Sequence, residues 1–151
     1  MIKFVLLLLL ASCGFKPLYH SGNNEIFSKV MIAENNSDIN RRFYRSISEL
    51  VTLADDKDKA QYLLKLDIKT AREGVLIDRN SITKRTNVIL NVDYVITEID
   101  TGKKIQDGSL KISSGYNTSL SEFASYVSEE DATKNAIREL ADEIRKILLM
   151  L

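Results

Sequence analysis

The chain has 151 residues, 44% of them hydrophobic, and its 21 basic residues are balanced by 21 acidic ones. This length suits one domain with one core, and the neutral balance argues against nonspecific nucleic-acid binding, which requires a basic excess. With a single cysteine there is no partner for a disulfide within the chain, so the fold must be stable without one.

The N-terminus has the layout of an export signal. One basic residue, Lys3, precedes the apolar run Phe4 to Leu10. A transmembrane helix needs about 20 apolar residues, so the short run favours a signal peptide over a spanning anchor. The run ends in Leu10-Ala11-Ser12-Cys13, in which two small residues precede the only thiol.

These four residues resemble the lipobox of bacterial lipoproteins. The resemblance implies that residues 1–12 are a lipoprotein signal peptide and that Cys13 becomes the lipidated N-terminus. The alternative is an ordinary signal peptide with a chance cysteine. Two or more acyl chains would hold the protein stably at a membrane surface while its domain stays outside the hydrocarbon. The covalent lipid on Cys13 is the only cofactor that we expect.

Residues 13–25 are expected to form an extended tether, because Pro17 disfavours helix at the preceding residue and the segment 22–24 is turn-prone. Residues 26–151 then form a single domain. Its first predicted elements are a strand over 26–34 and a helix with Ser37 as N-cap. The apolar stripe of that helix recurs at spacings of three and four and comprises Ile39, Phe43, Ile47, Leu50 and Val51.

Alternating apolar and polar residues predict three further strands, over 61–71, 86–99 and 104–114. The turn Asp100-Thr101-Gly102-Lys103 joins the last two, and Gly108 is expected to mark a bulge at which the alternation resets. A long final helix is predicted to begin with a capping box of Ser128 and Asp131. Its apolar stripe comprises Ala132, Ala136, Leu140, Ile144, Ile147 and Leu148.

The resulting order, β-α-β-β-β-α, predicts an α+β fold. It is a two-layer sandwich in which two helices pack side by side on one face of a four-stranded, mostly antiparallel sheet, because that arrangement buries both helix stripes and one face of the sheet.

Signs of catalysis are weak in this sequence. The only histidine, His20, lies in the tether, and the chain carries no GxSxG, HExxH or glycine-rich phosphate-loop motif. No Cys/His cluster could hold zinc. We therefore expect no enzyme and no metal, and a hydrolase is the least favoured of the functions considered.

The segment 72–85 is the most unusual part of the chain. It carries four cations, Arg72, Arg79, Lys84 and Arg85, around three consecutive apolar residues, Val75, Leu76 and Ile77. An apolar patch on a projecting hairpin often marks a contact surface. The alternative is that the strands simply continue through this segment and that its charges are solvated.

Three segments together resemble the lipopolysaccharide-assembly lipoproteins of the LptE family, in particular the alphaproteobacterial type. They are CGFKPLY at 13–19, the strand pair with its Thr-Gly turn at 84–108, and the Tyr-Asn segment with the final helix at 113–151. The resemblance covers nearly the whole mature chain. The earlier resemblance to bacterial lipoproteins adds that Gly14, at a position where many inner-membrane lipoproteins carry Asp, favours sorting to the outer membrane.

The resemblance implies a lipid-anchored protein on the periplasmic face of the outer membrane. It would plug an LptD-type β-barrel, assist the assembly of that barrel, and interact with lipopolysaccharide. The four cations of segment 72–85 are then candidates for binding lipopolysaccharide, and its three apolar residues for contacting the partner.

Two other functions remain open, a periplasmic ligand-binding lipoprotein and an auxiliary lipoprotein of an ABC-type transporter. A ligand-binding protein should have a deep apolar pocket between helices and sheet. A plug should have a filled core and a binding surface on its outside.

Overall fold

The computed structural model describes residues 24–56, 58–77 and 83–151. The signal peptide, Cys13, most of the tether and Arg79 lie outside these ranges. The described elements, in chain order, are α1 (Asn24–Phe27), β1 (Val30–Ile32), α2 (Asp38–Ser48), β2 (Tyr62–Ile77), β3 (Thr83–Glu98), β4 (Lys104–Asn117) and α3 (Glu122–Leu148). The predicted α+β fold is confirmed.

The four strands form one mixed sheet in the order β1-β2-β3-β4. β1 runs parallel to β2, and the other neighbours are antiparallel. The strands run further than the sequence predicted: β2 and β3 each have 16 residues, or about 50 Å at about 3.3 Å per residue. We call the end with β1 and the β3–β4 turn the proximal end, and the end with the β2–β3 connection the distal end.

The helices α2 and α3 pack beside each other on one face of the sheet. The predicted anchors Phe43 and Ile47 of α2, and Leu140 and Ile144 of α3, are all at most 1% exposed. On the strands, the residues that join the same core cluster occupy alternate positions: Leu64, Ile68, Val88, Leu90, Val92, Tyr94, Ile96, Ile112 and Tyr116. The space between the two layers is therefore filled by one continuous apolar core.

The start of α2 is as predicted, and its end is not. The Ser37 side chain caps the helix by accepting a hydrogen bond from the backbone N–H of Asn40 at 3.3 Å. The helix ends at Ser48, so the prediction that Leu50 belongs to the buried stripe is wrong and this side chain is exposed. Val51 is buried, although it follows the helix.

The predicted strand 26–34 is wrong in its extent. Only Val30–Ile32 pair with β2, and a single helical turn, α1, precedes them. An ion pair between Lys29 Nζ and Glu25 Oε1 at 2.8 Å, four residues apart, favours this turn. The Ser28 hydroxyl also donates to the backbone carbonyl of Glu25 at 2.9 Å.

The β3–β4 turn is confirmed, with Gly102 at a φ of 67° that favours glycine. The predicted bulge at Gly108 is wrong, because this residue pairs regularly with Tyr94 and the register shifts nearer the turn, between Ile96 and Thr97. Gly108 has another role. A Cβ there would lie 2.8 Å from Tyr94 Oη and 3.0 Å from two ring carbons, so only glycine leaves room for the buried ring.

The final helix begins earlier than predicted. Its N-cap is Ser121, whose side chain accepts from the backbone N–H of Ala124 at 3.4 Å, so the predicted capping box at Ser128 and Asp131 is wrong. The Ser125 hydroxyl stabilises the same turn by accepting from the N–H of Ser119 at 2.9 Å. The apolar stripe predicted for the rest of the helix is confirmed in full. Among the described residues, no helix is both long enough and apolar enough to cross a membrane.

Candidate functional site

The distal end carries a group of exposed apolar side chains at the start of α3. The exposed fraction is 101% for Leu120, 77% for Phe123, 66% for Tyr126 and 41% for Val127. Residues three and four positions apart lie on one face of a helix, so the last three form a single stripe that Leu120 precedes. We call these four residues the α3 patch.

The same two turns carry polar side chains on their other side, and these bind the preceding turn and the sheet. Ser125 is hydrogen-bonded to Ser119, and Glu129 accepts bonds from two strands. A surface helix normally turns its apolar side inward. The first turns of α3 do the reverse, so burial in the core does not account for the α3 patch.

Glu129 is the centre of a cluster that fixes these turns to the sheet. Arg72 of β2 donates to Glu129 Oε1 from Nε at 2.7 Å and from Nη2 at 2.5 Å. The Tyr116 hydroxyl of β4 donates to Oε2 at 3.2 Å. The cluster thus joins α3 to two strands that are not neighbours in the sheet.

The electrostatics follow from these contacts. The hydrogen bond from Arg72 to Glu129, and then the charge of that carboxylate, raise the pKa of Arg72 above its ordinary value. Burial, followed by the negative charge of Glu129, raises the pKa of Tyr116. Both shifts favour the protonated donors that the cluster needs.

The structure separates the residues predicted for lipopolysaccharide binding. Arg72 lies in the Glu129 cluster. Lys84 and Arg85 are exposed at the start of β3, where the guanidinium of Arg85 lies beside Gly115 of β4. Arg79 lies outside the described residues. Arg72 therefore has a carboxylate partner within the domain, and Lys84 and Arg85 lie together at the exposed start of β3 because they are consecutive in sequence.

The residues predicted for partner contact lie where the hairpin becomes irregular. The register of β2 and β3 shifts between Gly74 and Leu76 and again between Leu76 and Ile77. Val75 falls in the first shift and is 54% exposed. Leu76 and Ile77 belong to β2 by their backbone, and their side chains lie outside the description. Such irregularities commonly redirect side chains away from the sheet.

Acidic residues flank the α3 patch along the same stripe. Glu122 lies four positions before Tyr126, and Glu130 and Asp131 lie three and four positions after Val127. Glu130 accepts from Arg42 Nη1 of α2 at 2.6 Å, and Asp131 lies 3.8 Å from Lys134 Nζ. The exposed Glu122 and Asp131 therefore form an acidic rim at the two ends of the patch, whereas Glu130 is neutralised by Arg42.

Two open cavities lie on the helix side of the domain. A groove of about 790 Å³ runs between β1 and α2 and is lined by residues that include Met31, Asn40 and Tyr44. A furrow of about 510 Å³ separates α2 from α3 and is lined mainly by charged side chains. In the described part of the chain, no three His, Cys, Asp or Glu residues cluster closely enough to hold a metal ion.

The sequence analysis missed the α3 patch. The spacing of Phe123, Tyr126 and Val127 was a usable signal, because it is helical. Placing the helix start at Ser128 hid this signal, since the three residues then fell in a loop.

Comparison with known sequences finds a distant relative of similar length. No protein-family model matches the chain. An uncharacterized protein of Rickettsia prowazekii (strain Madrid E) is 23% identical over 148 residues, which cover 97% of this chain and 92% of the relative.

Solved structures match the architecture of this chain. A candidate lipoprotein from Caulobacter crescentus CB15 has a TM-score of 0.71 at 18% identity, with 86% of this chain and 94% of that one covered. Rare lipoprotein B from Shewanella oneidensis has a TM-score of 0.58 at 15% identity, with 80% and 91% covered. At these identities the likeness establishes the fold, and it is a fold found among bacterial lipoproteins.

Proposed function

We propose that this protein is a lipid-anchored component of the lipopolysaccharide transport and assembly machinery of the outer membrane. It docks as a plug with an LptD-type β-barrel, assists the assembly of that barrel, contacts lipopolysaccharide and catalyses no reaction. The observation that carries the proposal is a filled core combined with an outward-facing apolar stripe on α3. This is the arrangement expected of a protein that binds through its outside.

The anchor is assigned to Cys13, which follows the lipobox-like residues. Eleven peptide units separate it from Asn24, and an extended chain spans at most about 3.3–3.6 Å per residue. The tether therefore reaches at most about 40 Å, which keeps the domain close to the periplasmic face of the membrane.

Contact with lipopolysaccharide is assigned to the distal hairpin. Arginine can bind a phosphate through two parallel N–H bonds, and lysine acts as a compact point charge. Arg79, Lys84 and Arg85 supply these groups, and the exposed Val75 offers an adjacent apolar contact. Arg72 contributes less directly in this proposal, because its guanidinium already binds Glu129.

Purification of the tagged, full-length protein from outer membranes of its native host tests the proposal. We expect an LptD-type barrel to co-purify in stoichiometric amount, together with lipopolysaccharide. A Cys13→Ser variant should fold normally and leave the membrane fraction. Recovery of the anchored protein without a barrel would contradict the proposal.

A charge-reversed hairpin tests the lipopolysaccharide contact separately. Arg79→Glu combined with Lys84→Glu and Arg85→Glu should weaken lipopolysaccharide binding and reduce its salt dependence. The matched control reverses three exposed lysines elsewhere on the sheet, Lys65, Lys69 and Lys111. Equal binding by both folded variants would place the ligand site elsewhere.

The groove between β1 and α2 favours a second function, that of a periplasmic ligand-binding lipoprotein or a transporter auxiliary. Its volume of about 790 Å³ lies within the range of small-molecule sites. The groove lies at the sheet edge, outside the core, whereas a pocket between the layers was expected for this function. Native mass spectrometry of the anchored protein would reveal a co-purifying small molecule if this function applies.

A further inference from the structure

We propose that the α3 patch is the surface through which this protein binds its barrel partner, and that the matching surface of the barrel is apolar at its centre and basic around it. This inference rests on the proposed function and specifies which face of the domain docks. Leu120, Phe123, Tyr126 and Val127 form the apolar centre, and the exposed Glu122 and Asp131 form the acidic rim, because Arg42 already neutralises Glu130.

The composition of the patch suits a protein interface. Exposed apolar residues scattered singly need no explanation, but contiguous ones mark interaction sites. Four of the large exposed apolar side chains of the described chain fall within eight consecutive residues. Two of them are aromatic, and aromatic residues are enriched at the centres of protein interfaces.

The patch is also held in a fixed geometry before any partner arrives. Ser121 caps the helix, Ser125 ties it to the preceding turn, and Glu129 ties it to β2 and β4. The Thr133 hydroxyl donates to the carbonyl of Glu129 at 2.8 Å and adds a further bond one turn later. A surface that is already ordered loses less conformational entropy on binding.

The acidic rim selects the occupant. Phospholipid headgroups and lipopolysaccharide carry phosphates, which Glu122 and Asp131 would repel from the patch and which the separate cations Lys84 and Arg85 would attract to the hairpin. A second copy of this chain on the same patch would place like rims against each other across a twofold axis. A protein surface with basic residues around an apolar centre is attracted to both parts of the patch.

The position of the patch is compatible with simultaneous anchoring. The described chain begins at the proximal end, where the carbonyl of Lys29 accepts from the N–H of Tyr62. The α3 patch follows Thr118, whose backbone N–H donates to the backbone carbonyl of Lys84 at the distal end. The strand from Lys84 to Glu98 separates these ends by about 45 Å. Docking at the patch therefore leaves the tether end of the domain free to reach the membrane.

Site-specific photocrosslinking in the native host tests the inference. A photoreactive amino acid replaces Phe123 or Tyr126 in the full-length, lipidated protein. The matched control replaces Ile105, an exposed apolar residue near the start of β4. We expect crosslinks to the barrel from positions 123 and 126 and much less from position 105. Crosslinks from the patch only to lipid, or only to a second copy, would overturn the inference.

A substitution experiment gives an independent measurement. Phe123→Ser with Tyr126→Ser should lower the amount of barrel that co-purifies by at least about tenfold, while Ile105→Ser leaves it unchanged. Glu122→Lys should lower it less, with an effect that fades at high salt. Thermal unfolding of every variant is measured in parallel, so that loss of fold is distinguished from loss of binding.

The two proposals fail in different ways. If the wild type and the doubly substituted variant retain the barrel equally, the docking face is wrong and the proposed function stands. If the wild type retains no barrel at all, both are wrong.

Discussion

The first two turns of α3 differ from the rest of the helix in the kind of side chain that faces the protein, which is polar in the first two turns and apolar in the rest. From Ala132 to Leu148 the apolar stripe is buried against β3, β4 and α2. From Glu122 to Glu130 the large apolar side chains face outward, and Glu129 faces the sheet. Core formation explains the first pattern. Core formation does not explain the second pattern, which the docking inference accounts for.

The comparison is tested most strongly by two truncations on the same helix. Leu140→Ala should lower the free energy of unfolding by about 2–5 kcal/mol, because it leaves a cavity in a core where Leu140 is 0% exposed. Phe123→Ala should change it by less than about 0.5 kcal/mol, as is usual for surface positions. Chemical denaturation measures both.

These two free energies show whether the C-terminal part of α3 stabilises the core while its first turns contribute little to stability. A domain of this size has about 5–15 kcal/mol of stability in total, so the Leu140 effect is easily resolved. A large loss in Phe123→Ala would show that the patch belongs to the core, and the docking inference would lose its basis.

The next largest effect concerns the filled core. Gly108→Ala should destabilise the domain by about 1–3 kcal/mol, because its Cβ would lie 2.8 Å from Tyr94 Oη and 3.0 Å from two carbons of the buried ring. Gly115→Ala is the matched control on the same strand. A Cβ there meets only the ends of the Asn87 and Arg85 side chains, which can move away. Equal losses in thermal unfolding would contradict this difference.

The Glu129 cluster tests how the outward stripe is held. A double-mutant cycle of Arg72→Gln and Glu129→Gln should give a coupling energy of about 0.2–1 kcal/mol, since the Arg72 side chain is 67% exposed and water screens the pair. Raising the salt concentration should shrink it. A coupling indistinguishable from zero would show that Tyr116 and the serine turn are sufficient to position the helix start.

The smallest effect is a dependence on alkaline pH. The pKa of Tyr116 is raised above 10.0 in the folded protein, mainly by burial, so the unfolded chain loses this proton first. The resulting stabilisation is present below pH of about 10 and is lost as the pH rises through the folded pKa. Tyr116→Phe should therefore flatten the decline of thermal stability between about pH 9 and 11. An unchanged decline would mean that other groups dominate it.

Much of the fold was predictable because its signals are local. Alternation located three strands, the 3–4 spacing located the buried stripes, and Ser37 and Gly102 marked a cap and a turn. Each depends on residues within a few positions of one another. The lipobox-like Leu10-Ala11-Ser12-Cys13 is equally local, and it stays a prediction because it lies outside the described residues.

The elements that were misjudged depend on contacts distant in sequence. The extent of β1 is set by pairing with Tyr62–Leu64, some thirty residues later. Gly108 is required by the ring of Tyr94 on the neighbouring strand. A single sequence carries no local mark of either contact.

The candidate site shows the same division. The sequence by itself determined that the hairpin is rich in cations, that α3 is amphipathic from Ala132 onward, and that the only thiol follows a short apolar run. Only the tertiary structure decided that Arg72 binds Glu129, 57 residues away, and that the apolar side chains at the start of α3 point outward. The physical reason is that a helix has an inner and an outer face only once a sheet lies beneath it.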